Sequence, residues 1–337
     1  MDHGGRLNAA VKRWGIPRKD WLDLSTGINP CPWPVPDIPV ECWQRLPEVD
    51  DGLEPIARAW AGAPRAAGCL PVAGTQAAIQ VLPALREPCR VAVPVPGYSE
   101  HADCWRRAGH QLVPYAPDNL DESLLASVDV LVCINPNNPT AACTDADSLR
   151  RWHRYLAARG GWLVVDEAFI EGTDVASLVP DTGGDGLIVL RSLGKFFGLA
   201  GARAGLLFGP ETLCRDARVL LGPWALSAPA RFIMQRALAD HTWQAATAAA
   251  LARESARLAE LLTVHNLPVA GRALLFCYCP HPQAGALADA LGRQGVLVRE
   301  FAAPAALRFG LPGSFRQWQQ LEVALEQVMP RQALTNP

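Results

Sequence analysis

Between about Leu70 and Phe208 the chain alternates short apolar runs rich in β-branched residues with longer stretches that are apolar on one side only. Continuous apolar runs suit strands covered on both faces, and the one-sided stretches have the length of helices. That part of the chain is thereby restricted to repeated βα units on a mostly parallel sheet. The candidate strands are Arg90–Val95, Val128–Ile134, Trp162–Val165, Leu187–Arg191 and Gly205–Phe208. Between two of them, Asp145–Arg159 puts Leu149, Trp152 and Leu156 on one helical face, with Thr144 read as its cap. A sheet of this kind offers its ligand site beyond the carboxyl ends of its strands, so residues just after each run are the candidates for chemistry. Downstream, Thr242–Leu262 reads as a long helix. Strand-like Ala273–Cys279, Val296–Phe301 and Ala306–Leu311 and helical Ala284–Gln294 and Phe315–Val328 then make a compact α+β tail. The first 45 residues, rich in Pro and Trp, show no period and are expected to wrap onto the rest. The expected division is a large domain over residues 45–245 and a small α+β domain made of 1–44 with 246–330.

Several functions are disfavoured at once. A length of 337 residues exceeds the roughly 250–300 at which one core stops growing. A net charge of −2 without a basic block supplies no field for nucleic acid. Ten cysteines lie scattered with no C-x-x-C pair and no zinc-finger histidines, so reduced thiols, a cytoplasmic location and no metal are expected. The opening Met1-Asp2-His3-Gly4-Gly5-Arg6 carries no apolar run, and nowhere are there 18 uninterrupted apolar residues; neither export nor a membrane span is expected.

Lysine is scarce: only Lys12, Lys19 and Lys195 are present. Ser192-Leu193-Gly194-Lys195 follows a buried-strand pattern and precedes a Gly-rich turn containing Arg203. An amine there forms a Schiff base with an aldehyde cofactor if burial keeps some of it neutral; otherwise it is a surface lysine after a strand. Asp166 ends the Trp162–Val165 run, as a cap or as a carboxylate aimed at the crevice. Asn135-Pro136-Asn137-Asn138-Pro139-Thr140 ends another strand with a turn that directs amides to the same place. Gly74-Thr75-Gln76 opens the apolar helix Ala77 to Leu85, whose first N–H groups suit an anion.

Taken in this order and spacing, these segments resemble the aspartate-aminotransferase superfamily of pyridoxal-phosphate (PLP) enzymes. The likeness is to the branch that holds histidinol-phosphate aminotransferase and threonine-phosphate decarboxylase, and it spans nearly the whole chain. It implies the type I PLP-dependent transferase fold, with Lys195 as the Schiff-base lysine, Asp166 on the pyridinium nitrogen and Asn138 on the ring's phenolic oxygen. Ser192, Arg203, Gly74, Thr75 and Gln76 are implied for the cofactor phosphate, and Tyr98 for stacking on the ring. Arg308 matches the arginine that takes the substrate carboxylate, and Arg299 is similar to the second arginine of the phosphate-substrate branch; a guanidinium fork suits both groups.

The choice within the branch turns on the N-terminus. His3-Gly4-Gly5 followed by Leu24-Ser25-Thr26-Gly27-Ile28-Asn29-Pro30 resembles the opening of threonine-phosphate decarboxylases. In those enzymes His-Gly-Gly and the Asn, here His3, Gly4 and Asn29, help enclose the substrate. The implied reaction converts L-threonine O-3-phosphate to (R)-1-aminopropan-2-yl phosphate in cobalamin biosynthesis. The implied partners are this small phosphorylated amino acid, a second copy of the chain in a homodimer, and the synthase that attaches aminopropanol to the corrin ring. The alternatives are a histidinol-phosphate-type aminotransferase and a non-catalytic paralogue serving that synthase. A PLP-sensing transcription regulator would need a DNA-binding domain for which the chain has neither the basic helix-turn-helix nor the length. Four positions depart from the family pattern. Arg6 replaces the Asn after His-Gly-Gly, and either adds phosphate affinity or faces solvent. Ala141 replaces the Gly of Asn-Pro-Thr-Gly. Phe169 stands for a Tyr that donates to the phenolic oxygen, and Leu46 for a Tyr that reaches the partner subunit's cofactor.

Overall fold

The computed structural model describes residues 3–329. They form two compact units, one of residues 32–138 and 142–246, the other of residues up to 31, 139–141 and 247 onward. The expected boundary at 44 is corrected, because residues 32–44 belong to the unit that carries the large sheet.

That sheet has seven strands in the order Ala67–Val72, Gly205–Pro210, Leu187–Ser192, Trp162–Asp166, Val130–Ile134, Arg90–Pro94 and Gln111–Tyr115. Gly205–Pro210 runs antiparallel to both neighbours and the other pairings are parallel, giving the mostly parallel sheet expected. All residues of Val130–Ile134, Leu187–Ser192 and Gly205–Pro210 are buried, which is why these strands read as unbroken apolar runs. The helix Ala146–Ala157 buries Leu149, Trp152 and Leu156 as its period requires. Its cap is Asp145, whose carboxylate accepts from Ser148 N, and not Thr144.

Two strands escape the sequence pattern, and both are edges. Ala67–Val72 contains Pro71 and Gln111–Tyr115 contains Pro114. A proline cannot donate to a ladder, so it demotes a run on paper, yet it is harmless on an edge whose N–H faces no partner. Gly68 answers a second demand, since a Cβ there would meet Cys214 Sγ at 2.5 Å under the helix Glu211–Leu221.

The other unit holds a four-stranded antiparallel sheet in the order Arg299–Ala302, Ala305–Gly310, Phe276–Pro280, Gly271–Ala273. The single strand expected over Ala273–Cys279 is thus a hairpin turning at Leu274 and Leu275. The run expected over Val296–Phe301 also divides: Val296–Leu297 pairs in parallel with Leu22–Asp23, and Arg299–Ala302 joins the sheet. The opening segment has more order than its composition suggests, with a helix over Leu7–Trp14 closed by Gly15 in the left-handed region. Among the described residues no helix is long and apolar enough to cross a membrane.

Ala141 keeps the left-handed backbone, φ 59°, that explains a glycine at this place in relatives, so the turn is retained at the expense of strain. Ala141→Gly removes a Cβ penalty of about 1–2 kcal/mol and adds backbone entropy loss of about 0.5–1 kcal/mol. A net gain of up to roughly 1.5 kcal/mol is expected, read as a higher urea midpoint; a lower midpoint would show that the Ala141 methyl contributes packing that outweighs the strain.

Candidate active site

Within the large-sheet unit, four neighbouring parallel strands end at one crevice. Asp166 closes Trp162–Asp166, Ser192 closes Leu187–Ser192, Asn138 follows Val130–Ile134, and Tyr98 follows Arg90–Pro94. Gly205–Pro210 runs the opposite way, so its beginning lies at the same end and Arg203 arrives there too. Gly74, Thr75, Gln76, Tyr98, Asn138, Asp166, Ser192, Lys195 and Arg203 line a single cavity, together with Phe169.

Backbone strain and missing side chains shape the cradle. Arg203 adopts φ 51°, ψ 58°, a left-handed conformation that costs a non-glycine residue on the order of 1–3 kcal/mol. Gly74 at φ 75° sits directly against it: a Cβ there would lie 2.8 Å from Arg203 Nη2. A Cβ at Gly205 would fall 2.8 Å from Thr75 N. Backbone and guanidinium therefore approach one another in a space kept clear of side chains, beside the Ser192 hydroxyl that accepts from Gly194 N at 3.1 Å. This donor set suits a phosphate.

Asp166 is buried, and both oxygens are committed: Oδ1 accepts from Ala168 N at 3.0 Å and Oδ2 lies 2.9 Å from His101 Nε2. The two contacts fix the plane of the carboxylate. His101 was not singled out in the sequence. The available signal was its place three residues after Tyr98 at the start of the helix Ser99–Arg107, which puts both on one face; their rings meet edge to face at 6.3 Å. Behind Asp166, the fully buried Glu167 shares Arg191 with the buried Glu171 and accepts from Ser177 Oγ and Leu178 N. Burial pushes the Glu167 carboxyl up to about 7, with Arg191, Ser177 and Leu178 opposing the rise and Glu171 adding a little to it.

The turn after Val130–Ile134 corrects one expectation. Asn135 closes its own loop on Thr144, accepting from its N and donating to its carbonyl, and Asn137 donates to Pro96 O at 3.1 Å. Of the three amides only Asn138 lines the cavity. Gln76 lines the cavity as well. Its side chain is engaged by Glu100 and Tyr98, so it offers a phosphate its backbone and not its amide group. Phe169 lies with its ring centroid 5.3 Å from Lys195 Nζ. Leu46 is 63% exposed and lines no part of the cavity.

The other unit gathers a different set. His3, Gly4 and Arg299 line one cavity with Arg6, which is itself an exposed residue. Gly4 is required, since a Cβ would stand 2.3 Å from Ser25 O, and Gly5 N donates to Ser25 Oγ at 2.7 Å. Arg308 is directly across from Arg299 on antiparallel strands and donates to Ser25 O at 2.9 Å. Burial first, and the Arg299 charge second, bring Arg308 down to about 10, which leaves it cationic at neutral pH. Asn29 is buried and accepts from Cys31 N at 2.9 Å.

A sequence profile described as aminotransferase class I and II matches residues 62–325. The chain belongs to that family. It is 49% identical to a threonine-phosphate decarboxylase of Pseudomonas aeruginosa, over 96% of this chain and 97% of that protein. It is 39% identical to a threonine-phosphate decarboxylase of a Sinorhizobium species, over 92% of each. Among solved structures, the histidinol-phosphate aminotransferase of Sinorhizobium meliloti in complex with pyridoxal-5'-phosphate superposes with a TM-score of 0.83 at 19% identity, covering 96% of this chain and 94% of that one. That likeness carries the fold alone.

Proposed function

We propose that the chain is a PLP-dependent decarboxylase that converts L-threonine O-3-phosphate to (R)-1-aminopropan-2-yl phosphate in cobalamin biosynthesis. The observation that carries this reading is 49% identity along nearly the full length of a protein of that name. The cavity supports it, because its residues fit the cofactor. Arg203, Ser192 and the glycine-lined backbone of Gly74 and Thr75 would hold the phosphate, Asp166 the ring nitrogen and Asn138 the phenolic oxygen. When bound, the cofactor supplies an electron sink for the pair left as carbon dioxide departs. The chain's own part is positional and protolytic. Asp166, held by His101, would partner the ring nitrogen. Lys195 Nζ holds the cofactor and returns a proton to the substrate carbon. Arg308 and Arg299 bind the two anionic groups of the substrate, and His3, Gly4, Asn29 and Arg6 complete that set.

We further place the protein in the cytoplasm as a homodimer that delivers its product to the aminopropanol-attaching synthase. Ten cysteines without a disulfide among them support a reducing compartment. Exposed Val40, Trp43, Leu46 and Val49 support a subunit contact. The test is incubation of the PLP-loaded chain with L-threonine O-3-phosphate and no 2-oxoglutarate. Equal amounts of carbon dioxide and amino alcohol phosphate are expected. Turnover only after 2-oxoglutarate is added would establish the aminotransferase instead, and a chain that takes up no cofactor would be the non-catalytic paralogue.

A further inference from the structure

Tyr98, Gln76 and Glu100 form a hydrogen-bonded chain in which chemistry permits one direction only. The buried Glu100 lies 2.7 Å from Gln76 Nε2, and Gln76 Oε1 lies 3.0 Å from the Tyr98 hydroxyl. A carboxylate accepts and never donates, so it must face the amide NH₂ of Gln76. The amide oxygen is thereby turned to Tyr98, and the phenol must give its proton to that oxygen. We propose that Glu100 is a positioning residue that sets, through Gln76, the polarity of the Tyr98 oxygen, which then presents lone pairs to the cavity.

The consequence is a selection rule. The ligand group that settles beside this oxygen is an N–H or O–H donor such as an amine, and a carboxylate or phosphate oxygen is repelled. With Glu100→Gln the constraint disappears. The chain can reverse, Gln76 then donates to the phenol, and the phenol hydroxyl turns outward as a donor. The rule concerns the cavity itself and stands whichever reaction the cavity serves.

Tyr98 is pushed up to about 12 chiefly by burial, with Glu100, Asp166 and Cys104 adding to the effect and Arg203 opposing it. The experiment is a ¹⁹F NMR titration of the full chain carrying fluorotyrosine, whose phenol is more acidic and titrates within a usable range. The chain has four tyrosines, and Tyr98→Phe assigns the resonance. Glu100→Gln should move the Tyr98 midpoint down, because a charge is lost and the phenolate gains a donor. Gln76→Leu cuts the relay, so in that background the same Glu100→Gln change should shift the midpoint less. Equal shifts in both backgrounds would mean that Glu100 acts through its field alone, and no shift in either would mean that it does not act on Tyr98; both results overturn the proposal. Should Glu100→Gln fail to fold, Gln76→Leu decides by itself. Loss of the acceptor that favours the neutral phenol lowers the midpoint, and an unchanged or higher midpoint overturns the relay.

Discussion

Lys195→Ala should abolish covalent retention of pyridoxal phosphate and reduce decarboxylation by at least the roughly 10²–10⁴-fold that a positioned proton-transfer group contributes. The chain has only two other lysines, and both Lys12 and Lys19 are exposed and in the other unit from the cavity. Borohydride reduction followed by peptide mapping checks this directly: the wild-type label is expected on Lys195 and none on the variant. Label on Lys12 or Lys19 would overturn the assignment.

Arg308→Ala should lower kcat/KM for threonine phosphate by about 10- to 150-fold, the equivalent of a charge-assisted hydrogen bond worth roughly 1.5–3 kcal/mol. Cofactor uptake should hold, because Arg308 is not among the residues that line the cofactor cavity. The substitution also leaves Ser25 O without its donor, so thermal unfolding must be followed alongside. A drop in stability with kcat/KM unchanged would make Arg308 a brace for the Ser25 segment and remove it from substrate binding. Since burial leaves Arg308 near 10, its charge is constant through the neutral range, and its titration should not appear in an activity profile between pH 6 and pH 8, a span kept well below about 10.

The parts of this protein that were legible in its sequence are those whose causes are local. Fully buried strands announce themselves as apolar runs, and Asp166, Ser192 and Lys195 stand out because they interrupt or end such runs. The edge strands were hidden because Pro71 and Pro114 contradict strand propensity, and only their position in the sheet removes the contradiction. The same holds for side chains whose partners are distant. Asn137 is bound to Pro96, 41 residues away, and His101 to Asp166, 65 residues away. Nothing in a turn of three asparagines tells which one lines the cavity. The hold of Glu100, 24 residues on, upon the Gln76 amide is equally hidden in the local sequence.

The mutual fit of Gly74 and Arg203 imposes an order on how such a chain can decay. A Cβ at position 74 would come within 2.8 Å of Arg203 Nη2, the movable end of that side chain, and the φ of 75° would strain it with or without the arginine. A duplicated copy freed from cofactor binding can lose the arginine first, since a shorter side chain relieves the crowding. It cannot lose the glycine first without disturbing the turn that follows Ala67–Val72. Loss of the glycine is thus the costlier of the two changes, and relatives that keep the glycine but not the arginine should outnumber those with the reverse.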